Sequence, residues 1–236
     1  MAGCGYVCPQ CEGRGFTDNG VACDWCMPEP AAENKAPGVD ERFLFYALHK
    51  PYGYLSQFVC DIKKKKLLGE LYTFPERIMP VGRLDEDSEG LLLLSNYGLF
   101  HKHLLAHEVE KEYWILVEGE ITDEAIELLR NGIGISYHYN IYQTKPCVVN
   151  RLTEVHFAER TPRVRYHKYK GHTWLSIALK EGKFRQVRKM AAAAGYPVLR
   201  LIRKRVGGLE LSQESLPGAV IQLSVQQVVA AQLLPV

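Results

Sequence analysis

Val81-Gly82-Arg83-Leu84-Asp85-Glu86-Asp87-Ser88-Glu89-Gly90-Leu91-Leu92-Leu93-Leu94-Ser95-Asn96 is the stretch that decides how this chain is read. An acidic turn carrying one arginine runs directly into four consecutive leucines. A short apolar run bounded by turn residues reads as a strand buried in a core. The turn therefore sits at the lip of that core, where a carboxylate is partly desolvated and an arginine can hold it. Asp85 has Arg83, Glu86 and Asp87 as neighbours. Crowded carboxylates raise one another's pKa and an arginine lowers one of them selectively, so an ionised Asp85 could serve as nucleophile or base. The rival reading is that Asp85, Asp87 and Ser88 only hydrogen-bond the turn. On the turn alone the rival is stronger, because Asp and Ser are ordinary turn residues.

Outward from this point the pattern alternates short strands and helices. Residues 43–48 read as a strand stopped by Lys50-Pro51-Tyr52-Gly53. Residues 112–118 are rich in strand formers. Thr122 caps a helix starting at Asp123, with Ile126 and Leu129 inward and Gly132 as its stop. Residues 173–179 alternate, with Leu175, Ile177 and Leu179 on one face. Residues 184–194 read as a helix ended by Gly195 and Pro197. The class is α+β, a mixed and mostly antiparallel sheet with flanking helices.

The chain has 236 residues, 47% hydrophobic and 24% charged, a globular balance. No run nears the ~18 apolar residues of a membrane helix, and no basic-then-apolar leader opens the chain, so the expected location is the cytoplasm and no membrane is expected as partner. The net charge is only +2, but residues 161–205 hold 13 Lys/Arg against one acid, Glu181. That excess favours a polyanionic partner, most simply nucleic acid; the other reading is a solvated basic face. Lys63, Lys64, Lys65 and Lys66 read as a solvated loop. His101, His103 and His107 do not converge on one helix face, which argues against a metal there and for surface or RNA-facing roles.

Residues 1–40 differ from the rest in composition and form a separate Cys-rich segment and linker, leaving 41–236 as the main domain. Cys8-x-x-Cys11 and Cys23-x-x-Cys26 can close a tetrahedral site of four thiolates around a structural zinc. Four thiolates leave no open position, so such a metal is not catalytic. Cys4 is a substitute ligand; Cys60 and Cys147 read as ordinary core residues.

A second motif, Lys180-Glu181-Gly182-Lys183-Phe184-Arg185-Gln186-Val187-Arg188-Lys189, follows the alternating strand and starts a helix. Cations gain nothing from the dipole at a helix N-terminus. They are held there for another reason, such as phosphates or a buried carboxylate, and Gln186 could read a base edge.

The stretch from Gly82 to Gly98 resembles the signature of RNA pseudouridine synthases of the RsuA type. Four more motifs resemble that family's in order: His49-Lys50-Pro51-Tyr52-Gly53, Lys111-Glu112-Tyr113, Leu129-Arg130-Asn131-Gly132-Ile133, and the motif from Glu181 to Arg188. Together they span roughly residues 42–225. Within the family, residues 51–58 and 160–171 look most like the E-type synthases that act on the large ribosomal RNA. The resemblance implies a pseudouridine synthase fold with a central RNA-binding cleft. It implies isomerisation of a uridine in ribosomal RNA (23S, naked or in a pre-ribosomal particle) by a monomer needing no catalytic cofactor. Asp85 would be the essential carboxylate, attacking C1′ or assisting elimination to a glycal. Tyr113 would pack on the flipped base, Arg188 would pair with Asp85, and Val187 would floor the pocket. Arg83, Lys183, Arg185, Gln186, Lys189 and Arg203 would contact RNA and offset the cost of unstacking the uridine.

This sequence departs from the family in two places. Forty residues before the main domain are too few for the RNA-binding S4 domain that many relatives carry, so the Cys-rich segment would take over RNA docking. Phe184 stands where asparagine is common. The competing expectations are a non-catalytic RNA-binding or ribosome-assembly factor, and a synthase acting on tRNA.

Overall fold

In a computed structural model the described residues are 42–106, 109–166 and 171–234. The Cys-rich segment, with Cys4, Cys8, Cys11, Cys23 and Cys26, and also His107, lie outside them. The strands are β1 (Phe45–Lys50), β2 (Met79–Val81), β3 (Glu89–Ser95), β4 (Lys111–Glu118), β5 (Gly134–Tyr137), β6 (Asn140–Gln143), β7 (Val148–Leu152), β8 (His172–Leu179), β9 (Val198–Val206), β10 (Leu209–Glu210) and β11 (Val220–Leu223). The helices are α1 (Gly98–Leu105), α2 (Asp123–Asn131), α3 (Gln186–Ala193) and α4 (Val225–Ala230). The main sheet runs β11-β1-β3-β9-β4-β8-β7, with β2 added to β3 and β10 to β9, while β5 and β6 form a separate hairpin. Every pairing between these strands is antiparallel except β3 with β9, which bears out the expected α+β, mostly antiparallel class. No helix among the described residues is long and apolar enough to cross a membrane.

The four leucines lie in β3, and all seven of its residues are buried. Leu91 and Leu93 face a cluster with Phe45, Phe100 and Ile202. Leu92 and Leu94 face another with Tyr46, Leu48 and Ile78. A strand covered on both faces has no reason to alternate. β4 and β8 build a third cluster with α2 and α3, around Ile115, Leu129, Ile177 and Met190.

The parallel contact of β3 with β9 is short: Glu89 opposite Ile202 and Gly90 opposite Arg203. It is a seam between two antiparallel halves of the sheet. Gly90 has φ +107°, and a Cβ there would sit 2.5 Å from the backbone N and O of Arg203. Only glycine allows the two halves to approach this closely. The acidic turn leads straight into this seam.

Several boundaries differ from the sequence expectation by one or two residues, and two of the shifts have a plain cause. The first strand runs to Lys50 instead of ending at Leu48, because residues 49 and 50 stay in the ladder with Leu91 and Gly90. Helix α3 begins at Gln186, not at residue 184, because Arg185 takes a left-handed backbone (φ 53°, ψ 32°) as its N-cap.

Candidate active site

The acidic turn is clamped from one side by the segment after β1. Ser56 Oγ donates to Leu84 O (2.8 Å) and accepts from Leu84 N (3.0 Å). Gly53 N donates to Glu86 O (2.8 Å), and Ser88 N closes the turn onto Asp85 O (3.0 Å). Ser56 and Leu84 are both buried, so these bonds fix the backbone next to Asp85. Lys65 from the basic loop donates to Glu86 Oε2 at 2.7 Å, and Lys66 sits over the Tyr54 ring.

From the other half of the sheet, α3 and its N-cap supply two arginines across the seam. Arg185 grips Asp87 with both nitrogens of its fork, Nη1 to Oδ1 at 2.9 Å and Nη2 to Oδ2 at 2.7 Å. Its Nη1 lies 3.4 Å from Asp85 Oδ2. Arg188 donates through Nη2 to the Asp87 carbonyl at 2.6 Å, and its Nε is 3.5 Å from Asp87 Oδ2. Burial pushes the Asp87 carboxyl up, but the hydrogen bonds from Arg185 and the charge of Arg188 outweigh it, and the net shift is downward. The left-handed backbone of Arg185 is the kind of local strain found at functional sites; here it belongs to the residue that reaches both Asp85 and Asp87.

The acids of the turn thus divide. Glu86 is held by Lys65, Asp87 by Arg185, and Glu89 is fully buried on Arg200, with bonds of 2.9 and 2.8 Å. Asp85 has only the longer contact to Arg185, and its side chain is 32% exposed. It is the acid left without a cation of its own, at the mouth of the seam. The direct Arg188–Asp85 pair expected from the sequence is not what forms: Arg188 is held on Asp87, and Arg185 is the arginine beside Asp85.

Tyr113, at the start of β4, is half-buried and lies between two clusters. One contains Leu84, next to Asp85; the other contains buried Val187, next to Arg188. The three expected elements, the Asp85 turn, Tyr113 and the α3 motif, are therefore brought together. Lys50 lies under the same site. It is fully buried, with Nζ donating to Pro51 O at 2.9 Å. Burial lowers its pKa to about 8, against the opposing pull of Glu89, Asp85, Asp87 and Glu86. Nothing in the sequence singled out Lys50 or Ser56 individually. Their signal, a lysine ending a strand and a serine in a turn, is too common to notice.

Other sequence-predicted contacts fall elsewhere. Gln186 is buried: its Nε2 donates to Glu181 Oε1 (2.5 Å) and its Oε1 accepts from Lys183 N (2.9 Å). Arg203 is buried too, with Nε donating to Leu91 O at 2.7 Å. Arg200, Lys204 and Arg205 pair with Glu89, Glu210, and Glu110 and Glu112 respectively. The basic excess at 200–205 is thus structural cement, because β9 is a central strand whose long side chains must find acids or carbonyls. Arg83 is exposed and its Nη2 lies 3.5 Å from Gln57 Oε1. Lys183 stands over the Tyr142 and Tyr137 rings, and Lys189 donates to Ser136 O. His101 turns inward to Ser95 O at 3.0 Å, not to the surface. Cys147 is half-buried against the third cluster, its Sγ donating to Leu129 O.

Residues 45–193 match the family model described as RNA pseudouridylate synthase. The chain is 38% identical over 178 residues to "Ribosomal large subunit pseudouridine synthase E" of Vibrio vulnificus, covering 75% of this chain and 73% of that one. It is 38% identical over 167 residues to the protein of the same name from Xanthomonas axonopodis pv. citri, covering 70% and 86%. It is 31% identical over 173 residues to "Ribosomal large subunit pseudouridine synthase B" of Bacillus subtilis, covering 72% and 64%. Among solved structures, one titled "Crystal structure of pseudouridylate synthase" superposes with a TM-score of 0.64 at 20% identity, covering 82% of this chain and 75% of that one, a likeness of fold.

Proposed function

This chain belongs to the RNA pseudouridylate synthase family, and from that premise we propose that Asp85 is its catalytic carboxylate and that its substrate is large-subunit ribosomal RNA, the 23S species. One observation carries the assignment of Asp85: Glu86, Asp87 and Glu89 are each held by a cation within 2.8 Å, whereas Asp85 has only the 3.4 Å contact to the Arg185 that grips Asp87, and it keeps a partly exposed carboxylate at the seam. The names of the 38%-identical relatives support the choice of RNA.

The chemistry follows from the geometry. A uridine leaves its stack to reach the carboxylate, at a cost of a few kcal/mol. Asp85 adds to C1′ as the C1′–N1 bond breaks, or assists elimination to a glycal. Either way the sugar carbon meets a fixed anion while it is electron-poor. The freed uracil turns and its C5 bonds to C1′ as the Asp85 carboxylate leaves, or, from the glycal, as C2′ regains its proton; the C5 proton is then lost while N1 gains one. Atoms and electrons balance within the nucleotide, so the reaction requires no cofactor. Arg185 and Arg188, by holding Asp87 and its carbonyl, aim the turn that carries Asp85. Tyr113 packs on the base and helps remove the C5 proton, with Val187 beneath. Arg83 on the turn and Lys183 beside the β5–β6 hairpin would meet the RNA backbone, with Lys189 released from Ser136 O to join them. Cys8, Cys11, Cys23 and Cys26, which lie outside the described residues, would hold a structural zinc in a segment that would assist RNA docking. Zinc at one equivalent per chain is the expected result of metal analysis on reduced protein.

The test is tritium release from large-subunit rRNA transcribed with 5-tritiated uridine. The wild-type chain releases tritium and Asp85→Asn does not. Equal release by the two proteins overturns the assignment of Asp85. Mapping pseudouridines in rRNA and tRNA of a strain lacking the gene identifies the RNA and the uridine.

A further inference from the structure

The hairpin of β5 and β6 has no part in the chemistry above, yet its tip is not built as a connector. The turn passes through His138 (φ 45°) and Tyr139 (φ 64°), two side-chain-bearing residues in left-handed backbone. Two-residue hairpin turns of this hand normally use Asn-Gly or Asp-Gly, because a Cβ is disfavoured there. The Tyr139 side chain is fully exposed and Ile141 is 77% exposed. His138 stands edge-on to Tyr137 at 4.2 Å between centroids. Lys183 lies 5.3 Å from the Tyr137 ring and 4.9 Å from the Tyr142 ring. Residues 132–147 contain no Asp or Glu, while Lys145 and Lys180 are exposed at the hairpin's base.

This tip is mounted rigidly on the site. Buried Glu181 accepts from the Tyr142 hydroxyl (2.7 Å), from Lys145 N (2.9 Å) and from Gln186 Nε2 (2.5 Å). Lys189 Nζ donates to Ser136 O at 2.7 Å. At the hairpin's root, a Cβ on Gly132 would collide with Thr144 O, so the strands enter in close backbone contact. Glu181 and Gln186 thus join the hairpin to α3, and Arg185 and Arg188 there hold the acidic turn. The one acid of this region is engaged inside; the exposed tip presents His138, Tyr139 and Ile141, with Lys145 exposed at its base.

We propose that the Tyr137–Tyr142 tip is a stacking platform for an unpaired nucleotide of the substrate RNA that flanks the target uridine, with Tyr139 as the stacked ring and Lys183 and Lys145 serving the phosphates. Exposed rings interleaved with lysines match single-stranded nucleic acid, whose bases offer a π-face and whose backbone is anionic. The strained turn places a large ring where a better-folding Gly would leave none. The proposal rests on RNA as the substrate but not on the role of Asp85.

The experiment measures filter binding of the full chain to in vitro transcribed large-subunit rRNA, and KM and kcat for tritium release. It compares wild type with Tyr139→Ala and with the double variant His138→Asn, Tyr139→Gly. Either variant weakens RNA binding about 10-fold, the scale of one lost stacked base. KM rises in parallel and kcat at saturating RNA stays within about twofold. The double variant, given a relaxed turn, melts at the same temperature as wild type or higher. Binding repeated in the Asp85→Asn background shows the same loss, so failure of the Asp85 assignment and failure of the platform are read separately. Unchanged binding by both variants overturns the proposal. A fall in kcat with KM unchanged overturns it, as does a defect confined to ribosomal particles with naked rRNA bound normally, which would assign the tip to a protein.

Discussion

Two sets of basic residues cross the same seam and do different work. In β9, Arg200 and Arg203 reach inward to Glu89 and to Leu91 O, and both are buried. At the start of α3, Arg185 and Arg188 reach the outer lip, to Asp87, with Asp87 35% exposed and Arg185 34%. The inner pair joins the two halves of the sheet. The lip pair positions the turn proposed to carry the catalytic carboxylate. Residue type and spacing are alike; depth separates them, because the cost of an unpaired charge grows steeply as water is removed.

The strongest challenge to this contrast is Glu89→Gln. It strands the Arg200 guanidinium in the interior, so unfolding free energy should fall by about 3–5 kcal/mol. Denaturant titration measures it; a loss below about 1 kcal/mol would mean the inner pair does not weld the sheet. Next is Arg185→Lys, which keeps the charge and loses the fork. Tritium release should drop on the order of 10- to 100-fold through misplacement of the turn, with a melting temperature shifted by no more than about 2 °C. Equal losses of stability and activity would erase the difference between lip and interior.

The pH response sharpens the comparison further. The folded Asp87 carboxyl lies below its unfolded value, so it contributes stability that is full above the usual carboxylate pKa of about 3.9 and is lost as pH falls through the lower folded value. The stability gap between wild type and Asp87→Asn should therefore be constant near neutrality and close only in acid. A gap that closes between about pH 6 and pH 8, where histidines titrate, would contradict the assignment of the lip to Asp87. The smallest effect belongs to Arg205→Gln. Arg205 pairs with Glu110 and Glu112 but is 25% exposed, so the expected loss is about 1 kcal/mol or less, with tritium release unchanged.

Much of the fold was legible because its signals are local. The cap at Thr122, the stop at Gly132 and the alternation of β8 depend on neighbours a few residues apart, and each appears where the pattern places it. The start of α3 was not legible, because Arg185 is left-handed and its side chain bonds a carboxylate 98 positions earlier in the chain, neither of which local pattern reports. The site was legible as a set of motifs but not as a set of contacts. Arg188 and Asp85 were expected as partners, and Gln186 and Arg203 as RNA ligands. Depth moved Gln186 onto Glu181 and Arg203 onto Leu91 O, and it gave Arg188 to Asp87.

By itself the sequence determined the acidic turn at the lip of a buried strand, the α+β class and the family, since periodicity, turn chemistry and ordered motifs are properties of the chain. The family motif already pointed to Asp85, and only the tertiary structure showed how its surroundings differ from those of the other three acids. Glu86, Asp87, Glu89 and Asp85 are equivalent as carboxylates, and a strand reading cannot rank them. Lys65, Arg185 and Arg200 arrive from three distant segments and occupy three of the four. Asp85 is set apart by what its neighbours have already bound.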